Sequence, residues 1–205
     1  DGTSTAGTEA RAKILASQGG CRATAISAEA FLAMNSKTDG RNLTREHDVV
    51  YIYHDSIDAV GDKRDTEHKT FDAVARALDE IVRILKKGAA VNANHFVVTA
   101  DHGFLYQHEP VAESDFLEIQ PPEGALRFDR RFIVAPRVAP NPKLKVFSFD
   151  QLGLQGEGAV GFPKGIQRLR QRGSGSRYVH GGTSLQEVVV PVLKIRKDRV
   201  SDTAP

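Results

Sequence analysis

Apolar blocks with sharply charged ends recur along this chain, and their order predicts how it folds. "ATAIS", Ala23 to Ser27, reads as a short strand leading into a helix capped at Ser27 and reaching Met34. "DVVYIYH", Asp48 to His54, is nearly continuous in β-branched and aromatic residues, the pattern of a strand buried on both faces. Between Thr66 and Lys87, Phe71, Val74, Ala75, Leu78, Ile81, Val82 and Leu85 fall at three- and four-residue intervals, which predicts a long helix with one apolar stripe. Asp65 or Thr66 can cap its start, and Lys86, Lys87 and Gly88 suit its end. "HFVVTADHG", His95 to Gly103, is a second apolar strand that ends in charge. Strand, helix, strand in this order predicts a βαβ unit, with parallel strands whose carboxyl ends share one edge.

The remaining segments complete the outline. Glu9 to Ala16 is Ala-rich and helical, while the polar Asn35 to His47, carrying Asp-Gly, reads as a loop. From Glu109 to about Arg177 lie most of the prolines and short strand-like pieces such as Arg131 to Val134 and Lys145 to Phe149. Tyr178 to Lys197 then gives a glycine turn, a short helix capped near Thr183 or Ser184, and an apolar strand after Pro191. The expectation is an α/β fold, a mostly parallel sheet flanked by helices, forming one domain. Its core is residues 1–108 and 178–198, with a β-rich excursion inserted at about 109–177.

Composition narrows the partners little. A length of 205 residues with 40% hydrophobic content suits a globular core, and 28 basic against 26 acidic residues leave no field that commits the chain to nucleic acid or membrane. The single cysteine, Cys21, excludes an internal disulfide framework and fits a reducing, cytoplasmic address; it reads as a small core or surface residue. No apolar run is long enough for a membrane helix. The opening "DGTSTAGTEARAKIL" has neither initiator methionine nor signal-peptide pattern and reads as part of something longer. A sheet cut in this way exposes strand edges and apolar faces, which favours self-association.

The charged strand ends carry the chemistry. Ligands of open α/β sheets bind outside the carboxyl ends of the strands, where Asp58 and Asp62 follow one strand and Asp101 and His102 the next. Such carboxylates repel one another unless a cation is present, and oxygen with imidazole donors suits zinc, manganese or a related divalent ion. Taken alone, Asp-x-x-x-Asp is ordinary turn and capping chemistry, and "HGG" at His180 to Gly182 is a flexible turn. Their occurrence in order with "TADHG", where Gly103 permits a tight turn, points to a metal site. His54, at the strand end, reads as a second-shell residue orienting a ligand carboxylate. His47, His68, His95 and His108 read as solvated, loop or strand-edge residues.

"YIYHDSIDAVGD", followed by "TE" and the long helix, then "VVTADHGFLYQ" and "HGGTSLQEVVVPVL", closely resembles the PglZ family of the alkaline phosphatase superfamily, found in bacterial BREX phage-defence systems. The resemblance covers most of the chain and is weakest across Glu109 to Arg177. It implies a two-metal phosphoryl-transfer site, with Asp58, Asp62 and His180 on one ion and Asp101 and His102 on the other. Asp62 stands where most superfamily members have histidine, a harder donor that shifts preference from zinc toward manganese or magnesium. The superfamily's nucleophilic Ser or Thr and first Asp ligand lie upstream, and Thr3, Ser4 and Thr5 do not match that motif. The catalytic nucleophile is therefore unknown in this chain, which is expected to be incomplete alone and to bind at best one metal weakly.

Two functions of different class follow. One is a metal-dependent phosphatase or phosphodiesterase of the defence system, acting on a phosphate ester or nucleic acid, toward which the basic "KGIQRLRQRGSGSR", Lys164 to Arg177, supplies a patch without interleaved aromatics. The other is a scaffold that assembles the remaining defence proteins without essential catalysis. A phosphate-transferring mutase of similar architecture would need the same missing nucleophile.

Overall fold

The computed structural model describes residues 3–198, so the ends of the expected single domain, residues 1–2 and 199–205, lie outside the described residues. The chain divides into two compact units. The first takes residues up to Ser56, Val74–Val98 and the chain from Leu193; the second takes Ile57–Ala73 and Thr99–Val192. This division crosses the expected one, because residues 109–177 share the second unit with the acidic loop, "TADHG" and "HGG".

In the first unit, α1 (Gly7–Gln18) packs on β1 (Ala23–Ser27), which leads into α2 (Ala28–Ala33) through a Ser27 cap whose hydroxyl accepts the Ala30 N–H at 3.1 Å. Next come α3 (Asp39–Glu46) and β2 (Val49–Tyr53), and β1 and β2 pair in parallel with Ala23 opposite Val49. The loop expected at Asn35 to His47 is thus largely helix. Gly40 is in it for space rather than for a turn: a Cβ there would lie 2.6 Å from Val91 Cγ1, and Thr44 Oγ1 donates to the Val91 carbonyl at 2.6 Å.

α4 (Ser56–Gly61) and α5 (Thr70–Ala90) follow, then β3 (His95–Thr99). The helix expected over Thr66 to Lys87 exists, but its packing differs from the expectation. Thr70, Ala73, Ala77 and Gly88 form the buried side, where small residues let the backbone come close. A Cβ on Gly88 would lie 2.5 Å from the Phe96 ring, so this glycine belongs inside the helix; left-handed Asn92, φ 75°, follows the helix end. Phe71, Leu78 and Val82 of the predicted stripe are 61%, 60% and 47% exposed.

The second unit continues with β4 (Leu105–Tyr106), β5 (Phe116–Leu117), β6 (Arg127–Phe128), β7 (Ile133–Ala135), β8 (Leu144–Ser148), β9 (Ala159–Pro163), β10 (Arg168–Leu169), β11 (Tyr178–Val179) and α6 (Leu185–Val188); β12 (Val192–Arg196) closes the described chain. An antiparallel sheet of order β6-β7-β9-β8 covers a core of Leu117, Ile133, Ala135, Val138, Leu144 and Leu169. β5 and β10 pair in parallel, and β4 and β11 form an antiparallel ribbon.

The chain is therefore mixed α/β, but a mostly parallel sheet is not what forms. The sheets are small and mostly antiparallel, and the two strands of the expected βαβ unit do not pair: β2 lies against β1, and β3 against β12. Among the described residues no helix is long and apolar enough to cross a membrane.

One polar interaction organises the second unit. Arg131 and Glu187, both 0% exposed, form a bidentate pair, Nε to Oε1 at 2.8 Å and Nη2 to Oε2 at 2.7 Å. The other Arg131 donors meet the Gln167 and Gly165 carbonyls, and Glu187 also accepts the Gly182 N–H at 2.9 Å and the Ser184 hydroxyl at 2.7 Å. Burial opposes ionisation of Glu187, yet these donors hold its carboxyl below the ordinary carboxylate range. A depressed folded-state pKa contributes stability that is present above the unfolded value, about 4.3, and lost as the pH falls below it. Glu187→Ala should cost about 3–5 kcal/mol in urea unfolding at neutral pH, because it strands a buried guanidinium. The double variant Arg131→Met, Glu187→Leu should unfold with a flatter acid limb than wild type; a Glu187→Ala loss below about 1 kcal/mol, the scale of an exposed pair, would contradict this assignment.

Candidate metal centre

Asp58 projects from α4 and Asp62 follows directly, its N–H donating to the Asp58 carbonyl at 2.9 Å. Helix geometry thus sets the separation of the two acids. Asp101 and His102 lie between β3 and β4, and His180 leaves the end of β11. Because β4 and β11 run antiparallel, with Leu105 opposite Val179, the segments holding His102 and His180 emerge at one end of the ribbon. There the two imidazoles stack, centroids 4.2 Å apart and planes 9° from parallel.

Glycines make this approach possible. A Cβ on Gly103 would sit 2.0 Å from the Gln186 carbonyl oxygen, and the Gly103 N–H donates to the Glu187 carbonyl at 2.8 Å. Gly103 is therefore required by contact with α6, not by a positive φ. Gly181 does adopt the left-handed region, φ 89°, and a Cβ on Gly182 would lie within 2.7 Å of both Glu187 and Arg131. The "HGG" turn is packed on the buried ion pair rather than flexible.

The acids and imidazoles meet in pairs. His102 Nε2 lies 3.4 Å from Asp58 Oδ2 and 3.9 Å from Asp101 Oδ1, while His180 Nε2 lies 3.4 Å from Asp62 Oδ1. His102 Nδ1 faces the Gly103 carbonyl at 3.1 Å, and since a carbonyl only accepts, Nδ1 carries the proton. In the neutral ring, Nε2 then offers a lone pair toward two carboxylates, an arrangement that is repulsive without a cation. Two donors on one tetrahedral ion, each about 2.0–2.1 Å from it, stand about 3.3 Å apart, close to both imidazole–carboxylate separations. The donor chemistry fits a divalent ion. The count is short of one: among the described residues no group of three or more His, Cys, Asp or Glu side chains stands ready to hold a metal ion.

Two side chains not anticipated from the sequence complete the surroundings. The Tyr178 hydroxyl donates to Asp58 Oδ1, leaving Oδ2 toward His102. Burial first, and then the Asp58 carboxylate, push the Tyr178 pKa far up, so the phenol stays a donor at any physiological pH. Gly61 admits this ring, since a Cβ there would lie 2.5 Å from Tyr178 Cγ. Arg130 Nη2 donates to Asp62 Oδ1 at 2.9 Å, and its Nη1 holds the Gly175 and Tyr178 carbonyls. The buried Glu67 accepts the Arg177 N–H at 2.9 Å and so pins the entry to β11, which gives the "TE" at Thr66 and Glu67 a structural role. No local pattern marked Tyr178 or Arg130; each acts across more than 60 residues of sequence.

His54 belongs to the first unit. Its Nε2 faces Glu80 Oε2 of α5 at 2.6 Å, so the carboxylate it orients is Glu80 and not a candidate ligand. Asp101 is the most open of the predicted ligands, its side chain 89% exposed, and Cys21 is exposed and free.

A model of the BREX system PglZ alkaline phosphatase-like domain matches residues 1–195. The alkaline phosphatase-like protein BrxZ of Escherichia coli O9:H4 (strain HS) is 40% identical over 203 residues, 96% of this chain and 22% of that protein. The alkaline phosphatase-like protein PglZ of Bacillus cereus (strain H3081.97) is 39% identical over 197 residues, 94% of this chain and again 22% of the relative. The chain thus spans about a fifth of the length of these relatives, and with its motifs in order and its imidazoles and carboxylates paired, it belongs to the PglZ alkaline phosphatase-like domain family of BREX phage-defence systems.

Proposed function

We propose that this chain carries the larger part of the ligand set of a metal-dependent phosphoesterase, acting in a phage-defence protein on a phosphate ester, with nucleic acid as the substrate class. The carrying observation is the stacked His102 and His180, each with Nε2 at 3.4 Å from a carboxylate oxygen. Asp58, Asp101 and His102 would hold one ion, and Asp62 and His180 would contribute to a second. This regroups Asp58, which the resemblance placed with Asp62 and His180. When bound, such ions would supply Lewis-acid stabilisation of the attacking and leaving oxygens of a phosphate ester.

The side chains have defined tasks within that reading. The Gly103 carbonyl fixes the His102 tautomer, and Tyr178 fixes the Asp58 rotamer by occupying one oxygen. Asp62 adds a hard oxygen donor and tilts the preference from zinc toward manganese. The nucleophile and a further carboxylate come from outside this chain, so hydrolysis belongs to the full-length protein, with other defence proteins as its partners.

Arg130 favours a second reading. Its guanidinium already neutralises Asp62, so the charge is partly balanced by the protein itself, as suits an assembly domain with no essential catalysis.

Calorimetric titration separates the two. Zinc or manganese should bind the folded chain with a stoichiometry of about one, and Asp101→Ala, His102→Ala should abolish binding while circular dichroism stays unchanged. In the full-length protein Asp101→Ala should remove metal-dependent phosphodiester hydrolysis; defence that survives this change would establish the assembly role. Tyr178→Phe, which keeps the ring packed beside Phe104, should weaken metal binding by about tenfold, and unchanged affinity would remove Tyr178 from the site.

A further inference from the structure

A cavity of about 400 Å³ in the second unit is lined by Arg64, Arg130, Arg168, Arg170, Arg172 and Arg177. Two glutamates share the lining, and both are committed: Glu67 to the Arg177 and Tyr178 N–H groups, and Glu113 to Arg170. Arg170 also pairs with Glu118 and stacks on Phe116, 4.2 Å from its centroid, and Arg130 is held by Asp62. Arg177 Nη1 reaches the His108 carbonyl. Positive charge remains in excess around the cavity.

Arg168 is the distinctive member. It is 1% exposed, and only its Nη1 is used, on the Ile166 carbonyl at 2.6 Å; Nε and Nη2 have no hydrogen-bond partner among the described residues. A buried guanidinium with open donors is costly, and burial followed by the neighbouring Arg131 charge lowers its pKa to about 10. Nε and Nη2 form the side edge of the guanidinium, the same edge by which Arg131 grips both oxygens of Glu187. Arg168, which lines the cavity, therefore holds a buried and unused fork of the shape that matches two oxygens of an oxyanion.

We propose that this cavity binds a phosphate group, a turn of the Arg168 side chain bringing its Nε and Nη2 edge onto two phosphate oxygens, with Arg64 and Arg172 at the exposed rim. Phosphate fits better than a carboxylate because several guanidiniums line one cavity, and only a group with more than two acceptor oxygens can engage more than one of them fully. The inference rests on the cavity alone and holds whether or not the imidazole–carboxylate pairs take up metal. The shared chemistry has two sources, a free phosphate or monoester and a phosphodiester of a nucleic-acid strand.

The test uses the full-length protein in EDTA, which removes metal binding from the readout. Inorganic phosphate, titrated against chloride at matched ionic strength, should raise the melting temperature of wild type. In Arg168→Met the half-maximal phosphate concentration should rise at least tenfold, while the variant in phosphate-free buffer is no less stable, since an unpaired buried charge has gone. The double variant Arg64→Ala, Arg172→Ala changes only exposed positions and should weaken the response several-fold. A response equal in wild type and both variants, or none in wild type, overturns the proposal. If Arg168→Met does not fold, an undiminished response in the rim double variant overturns it alone. A single-stranded oligonucleotide that competes with phosphate identifies the phosphodiester as source, and saturation by phosphate without such competition identifies the free ion or monoester.

Discussion

The arrangement of the second unit hangs on a buried carboxylate. Glu187 uses its side chain to neutralise Arg131 and to hold the Gly182 N–H, and its backbone carbonyl to hold the Gly103 N–H. One residue thus fixes both segments that carry the histidines, and fixes them relative to each other. The cost of burying two charges is met because every strong donor on Arg131 finds an acceptor and Glu187 accepts from several groups at once. The glycines of "ADHG" and "HGG" follow from this constraint, since neither Gly103 nor Gly182 leaves room for a Cβ.

Charge in this unit is sorted rather than spread. Three acids face two imidazoles at the end of the β4–β11 ribbon, while arginines gather around the neighbouring cavity. The overall balance of the chain, +2, conceals both accumulations. A cation-seeking group beside an anion-seeking one is the electrostatic layout that a phosphate ester, a charged group flanked by metal-stabilised oxygens, would require. Net charge is therefore a poor guide here, and position along the fold a better one.

What could be read from the sequence was local. The strands at Ala23, Val49, His95 and Val192, the Ser27 and Ser184 caps and the long helix all follow from spacing and capping chemistry. α3 was hidden because Asp39-Gly40 resembles a turn, whereas Gly40 is selected by the Val91 side chain far along the chain. The stripe of α5 was legible as apolar but not as exposed, since periodicity reveals that a face is hydrophobic without revealing what covers it. Asp58, Asp62, Asp101, His102 and His180 could be picked out as charge at element ends, but not their pairing, because two-residue strands such as β4 and β11 leave no pattern. Arg130, Arg131 and Tyr178 carry no local signal, as their partners are distant in sequence, and Glu187 shows locally only as the acid of a capping box with Ser184, not as the partner of Arg131.

Arg130 belongs to both halves of this layout, donating to Asp62 with one nitrogen while lining the arginine cavity. Asp62 Oδ1 is the oxygen that faces His180, so a cation arriving there and the Arg130 guanidinium compete for the same lone pairs. The other nitrogen of Arg130 is anchored on the Gly175 and Tyr178 carbonyls, so the guanidinium that balances Asp62 is held in place by the backbone leading into and along β11. The charge of Asp62 and that of the arginine-lined cavity are therefore tied to one side chain, and any change at Arg130 alters both at once.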